Sequence, residues 1–186
     1  MLAWFRRRAQ DRQTAVDLYG AVVAEARRSI IFERLGVRDT PEGRAGAIIL
    51  AAFPVLDRLQ AGSAPSRRVA RLIAEAYVTD VDDCLREMGV GDMAVPRRVK
   101  RAAQALGERC SAYAAAARAN EPVPALAAEL ASTIPGLDEA PAGAHALARF
   151  ALATIERLQA EPESTLLAGR LPFAPLSADD LMETPT

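Results

Sequence analysis

The chain has 186 residues, 51% of them apolar and 25% charged, with a formal net charge of −1. That length suits one domain with its own core, and a charge so near zero does not announce a nucleic-acid binder, so no DNA partner is expected. Abundant alanine, few β-branched runs and only 5% aromatic residues favour helices over sheet.

Lys100 is the single lysine among 23 basic residues, a skew read here as compositional habit. Cys84 and Cys110 stand at no metal-ligand spacing and suit buried free thiols in a reducing compartment. No secretory h-region follows the start. The longest apolar run, Ala47 to Leu56, is about half of the ~20 residues that span a bilayer. The expectation is a soluble protein of the bacterial cytoplasm or an organelle matrix, with peripheral contact to the inner membrane as an option.

Residues 1–13 form a basic and aromatic lead, in which Trp4 and Phe5 beside Arg6, Arg7 and Arg8 could rest on an anionic membrane. A frayed, solvated start is the plainer reading. Thr14 with Asp17 resembles a capping box and is expected to open the first helix. Leu18, Tyr19, Val22, Val23, Ala26 and Ile30 share one arc of it, and Gly36 ends it. Thr40 as N-cap and Pro41 at the first helical position start a second helix to about Gln60, apolar almost all round and therefore central. Pro54 should kink it.

A third helix is expected from about Ser66 to Met88, ended by the break Gly89-Val90-Gly91-Asp92, where one glycine should be left-handed. The fourth, from Val95 or Pro96 to about Arg118, has the clearest amphipathic pattern: Val95, Val99, Ala102, Leu106, Cys110, Tyr113 and Ala117, in steps of three or four. A short helix opens at Pro122 and Pro124 and stops near Ile134. Another covers about Ala142 to Gln159. From Glu161 the prolines and acids predict a mostly extended or disordered tail. The expected architecture is all-α: a compact bundle of about six helices over residues 14–160, with a Pro-rich tail over 161–186.

Two stretches carry a resemblance. The first is Asp80-Val81-Asp82-Asp83-Cys84-Leu85-Arg86-Glu87-Met88-Gly89-Val90-Gly91-Asp92, continuing through Val95-Pro96-Arg97-Arg98-Val99-Lys100. The second is Leu18-Tyr19-Gly20-Ala21-Val22-Val23-Ala24-Glu25-Ala26-Arg27, followed by Leu35-Gly36-Val37 and Asp39-Thr40-Pro41-Glu42-Gly43-Arg44. Together they resemble the ubiquinol–cytochrome c chaperone family, the assembly factors of the cytochrome bc1 complex, over about residues 16 to 118. Gly169-Arg170-Leu171-Pro172-Phe173 is a weaker third echo. Where that family tends to carry an aromatic-Gly-Arg run, this chain has Leu106-Gly107-Glu108-Arg109. The resemblance implies an all-helical chaperone that binds newly made cytochrome b, with no cofactor and no catalysis. In mitochondrial members a partner subunit and the ribosome are also involved.

The residues themselves offer few sites. Arg97, Arg98, Lys100 and Arg101 lie within five positions with no acid among them, and Arg97, Lys100 and Arg101 sit opposite the apolar stripe. They are either a solvated face or a docking surface for an acidic partner or ribosomal RNA, joined by Gly89, Gly91 and Asp92 of the turn. Asp80 falls in the apolar arc of Val69, Leu72, Ile73, Ala76 and Tyr77. A carboxylate there must be paired, and Arg27, Arg44 or Arg98 are the expected partners. If the stripe rotates round it, Asp80 is simply wet.

Asp80, Asp82 and Asp83 also permit a magnesium-diphosphate reading, as in all-helical isoprenoid synthases. The second acidic cluster this needs is supplied only by Asp179-Asp180, in the tail. His145 is the single histidine, so no His-based dyad or metal cage is available. No glycine-rich phosphate loop or Gly-x-Ser-x-Gly elbow occurs. No metal site is expected. Besides the chaperone reading, a helical interaction module, membrane-peripheral through Trp4 and Arg6 to Arg8, remains an alternative.

Overall fold

A computed structural model describes residues 2–176. Among these residues there are eight helical segments and no strand: α1 (Leu2–Ala26), α2 (Ser29–Glu33), α3 (Pro41–Gln60), α4 (Ala64–Glu87), α5 (Val95–Ala117), α6 (Pro122–Thr133), α7 (Pro141–Ala160) and α8 (Glu163–Leu167). The six long ones are those expected; α2 and α8, five residues each, are additions. No helix here is long and apolar enough to cross a membrane.

α3 is the hub, touching α1, α4, α5 and α7. Thr40 caps it by accepting from the Gly43 amide at 3.1 Å, with Pro41 at the first position. From Ala47 to Leu56 every side chain except Ile48 is buried. A helix apolar all round can satisfy itself only by being enclosed. The segment stays helical past Pro54, which is itself buried.

Two expectations about the ends are corrected. Thr14 does not open α1; it lies in mid-helix, 2% exposed, and its hydroxyl donates to the Leu167 carbonyl at 2.9 Å. Asp17 turns to Gln13 at 2.8 Å instead of reaching back. A Thr-x-x-Asp spacing serves a helix interior as well as a cap, and here a carbonyl from the far end of the chain decided its use. Nor does α1 run on to Gly36: it stops at Ala26, α2 follows, and Gly36 (φ 85°) closes that later segment.

The tail from Glu161 is also more structured than its composition predicts. α8 and the extended residues 171–176 pack back on the bundle, with Leu166, Ala174 and Leu176 buried. Phe173 stacks on Phe150 at 6.2 Å, the Ala174 amide donates to the buried Thr154 hydroxyl at 3.2 Å, and Arg28 donates to the Leu176 carbonyl at 2.8 Å. Those apolar side chains, not any helical period, hold it down. Asp179 and Asp180 and the side chains of Trp4 and Phe5 lie outside the described residues.

Two loops meet where α2 leads into α3 and α6 into α7. The Arg38 amide donates to the Pro135 carbonyl at 2.9 Å. Gly143 is required by close approach, since a Cβ there would run into the Leu35 carbonyl.

Candidate docking surface at the turn between α4 and α5

α4 is anchored near its C-terminus by Leu85 (8% exposed), and α5 begins on Val95 (0% exposed). The turn between them is a Schellman motif. The Gly89 amide donates to the Arg86 carbonyl at 2.9 Å and Val90 to Leu85 at 3.0 Å, with Gly89 at φ 73°. Gly89 is therefore the left-handed glycine, and Gly91 is not. The Ala94 amide then donates to Gly91 at 2.8 Å and leads the chain into α5.

Arg86 fastens the turn from the side, pairing with Asp82 at 2.6 Å and Asp92 at 3.3 Å. Asp92, expected among the partner-binding residues, is thus already engaged, although its side chain is 93% exposed. Arg86 was missed, and the Asp82–Arg86 spacing of four residues was the available signal. Its guanidinium is pushed above its ordinary pKa, first by the hydrogen bond to Asp82.

Met88 and Met93, also missed, are 54% and 96% exposed. Beyond them Arg97, Arg98, Lys100 and Arg101 are all exposed, and none forms an ion pair with any described residue. The inward stripe of α5 is as expected: Leu106 is 5% and Tyr113 0% exposed. Tyr113 meets Phe53 edge-on at 5.8 Å and shares a hydrogen bond with Thr133 at 2.6 Å.

Asp80 is half-buried, and its partner is not an arginine. It accepts from the Tyr19 hydroxyl of α1 at 2.9 Å. Burial, then this bond, push the Tyr19 hydroxyl far above its ordinary pKa, so it serves as a fixed donor. The match of one phenol on α1 with one carboxylate on α4 depends on how the two helices pack, which spacing within α4 cannot reveal. With Asp80 held by Tyr19 and Asp82 by Arg86, the three aspartates are not poised as a cage. No group of three or more His, Cys, Asp or Glu suited to a metal occurs among the described residues.

The thiols divide. Cys84 is exposed, contrary to expectation. Cys110 is half-buried, and burial pushes its thiol up to about 12, so it stays protonated. His145 hydrogen-bonds the Pro141 carbonyl of its own helix at 2.9 Å. Grooves dent the body between its helices. One of about 480 Å³ is lined by Phe53, Asp57, Arg118, Val123, Leu152 and Glu156. Another, about 400 Å³ and lined by Ala74, Val78, Ala103 and Leu106, runs between α4 and α5.

A sequence model described as "Ubiquinol-cytochrome C chaperone" matches residues 33–173. The chain belongs to the ubiquinol–cytochrome c chaperone family. Among solved structures it is similar to the crystal structure of the Cbp3 homolog from Brucella abortus, with a TM-score of 0.82 and 33% identity over 94% of this chain and 97% of that one. A search of curated proteins found no significant match. The family match covers α3 to α8 and reaches Phe173, so the signature segment around Gly89 lies inside it.

Proposed function

We propose that this protein is an assembly chaperone of the cytochrome bc1 complex that binds newly made cytochrome b and holds it until its haems and partner subunits arrive. The family match over residues 33–173 carries this reading. The structure supports it with a surface whose side chains are unused by the fold: Met88, Met93, Arg97, Arg98, Lys100 and Arg101, carried on the turn of Gly89, Gly91 and Asp92. Such a surface adds little to stability and much to association. The work is done by binding, without a cofactor, and a ribosome or a second subunit would meet the protein on exposed ground of this kind.

In cells lacking the protein, assembled bc1 complex should fall severely while other respiratory enzymes stay near normal. Haem-stained native gels of membranes from a deletion strain, beside a complemented control, measure this. Normal bc1 levels would remove the assignment and leave a helical binding module of another pathway.

A further inference from the structure

We propose that the α4–α5 turn is a membrane-contact tip, with Met88 and Met93 entering the headgroup layer of an anionic bilayer while Arg97, Arg98, Lys100 and Arg101 bind its phosphates. The proposal deepens the chaperone reading and rests on it for purpose, since a client inserted in a membrane has to be met there.

The first observation is the shape of the apolar part. Met88, Gly89, Gly91, Asp92, Met93 and Ala94 are all exposed, and a Cβ on either glycine would have no atom within 4 Å. The methionines therefore project from a bare turn; they do not line a groove. An apolar peptide needs a concave lining to bury its side chains. A bilayer surface is soft and accepts side chains that protrude, and unbranched methionine adapts to it.

The second observation is that the tip is fixed in advance. The Schellman bonds, the Arg86 bridge between Asp82 and Asp92, and the buried Leu85 and Val95 hold the turn from both sides. Little backbone order is then lost on contact.

The third is where the charges lie. Val78 of α4 and Leu106 of α5 line one groove, so α5 flanks that side of α4. The exposed acids Asp83 and Glu87 follow Asp80 by three and seven residues and so share the side of α4 on which Tyr19 of α1 holds Asp80. Asp82 and Asp92 are held by Arg86. The cations on α5 thus project from the other side of the hairpin than Asp83 and Glu87, and the four of them outnumber the one exposed acid of α5 on their own face, Glu108, seven residues beyond Arg101. Each cation near such a surface strengthens attachment about fivefold.

The test is co-sedimentation of the purified full chain with phosphatidylcholine vesicles, with and without about a third phosphatidylglycerol. The natural protein should bind only the anionic vesicles and release as salt rises. Joint Met88→Ser and Met93→Ser replacement should weaken partitioning about tenfold, and Arg97→Ala, Lys100→Ala or Arg101→Ala about fivefold each, with unchanged circular dichroism. Absence of binding to anionic vesicles overturns the proposal. So does binding that survives both sets of replacements, which would place the contact elsewhere, such as the N-terminal lead. Capture of an acidic peptide without vesicle binding would make the tip a protein site instead. Only protein and lipid are present, so failure here leaves the bc1 assignment to the deletion strain, and normal bc1 there leaves vesicle binding intact.

Discussion

The two ends of α4 show how one helix can serve two ends of a protein's work. At its start, Ser63 caps the helix, and Glu163 of α8 accepts from the Ser63 amide at 3.0 Å and from the Ser63 and Ser66 hydroxyls. Nearby, Arg68 pairs with Asp11 of α1 at 2.8 Å, and Arg58 donates to the Leu158 carbonyl at 2.9 Å. At its other end, from Asp82 onward, every bond made is local, and methionines and cations are left without use in the fold. The closed end spends its polar groups on tying distant parts of the chain together. The open end ties only itself and keeps its surface for something else.

The comparison breaks most readily where the closed end meets the core. Leu166 is fully buried on α8, so Leu166→Ala should cost about 2–5 kcal/mol in chemical denaturation. A loss under half a kilocalorie would mean that α8 is not a part of the packed body. At the open end, Gly89→Ala should cost about 1 kcal/mol. The left-handed backbone is its cause, since the added methyl meets open space. The same change at Gly91, which has no positive φ, should cost less.

The closed end should also respond to acid. Hydrogen bonds from Ser63 and Ser66 hold the Glu163 carboxyl below its ordinary value near 4.5. A carboxyl whose folded pKa is depressed contributes stability that is present above the ordinary value and lost as pH falls through the folded one. The protection of the α8 amides, relative to their intrinsic exchange at each pH, should therefore fall in acid below the usual carboxylate range, and Glu163→Gln should flatten that dependence. An equal dependence in the variant would assign it to another group. Smallest of all is the stability effect of reversing Arg97, Lys100 and Arg101 to Glu, within about 0.5 kcal/mol. The same variant should lose association with its client or membrane. Unchanged association at low salt would reduce the cluster to a solvated face.

Much of this was legible beforehand for local reasons. Thr40-Pro41 started α3 because a side-chain cap and a preset φ act within one turn. The Val95–Leu106–Tyr113 stripe showed which face of α5 goes inward, and the basic cluster was readable as the opposite face. Asp80 was recognised as needing a partner, but the wrong kind was expected, because Tyr19 stands sixty-one residues away on another helix. Met88 and Met93 carry no such signal, because an apolar side chain has no local mark of exposure; only placement on a bare turn makes it surface.

The all-helical class, the six long helices, the central place of α3, a left-handed glycine in the Gly89–Gly91 break and the membership in a chaperone family were written in the amino-acid sequence. All of these follow from periodicity, capping and glycine geometry within a few residues, or from matching stretches of sequence. The tertiary structure alone decided that Thr14 would bond Leu167, that Tyr19 would hold Asp80, that the tail would close the start of α4, and that Arg86 would claim Asp92. Each of those joins groups whose meeting depends on how helices pack or a turn closes, and a hydrogen bond forms only where both partners have been brought within about 3 Å.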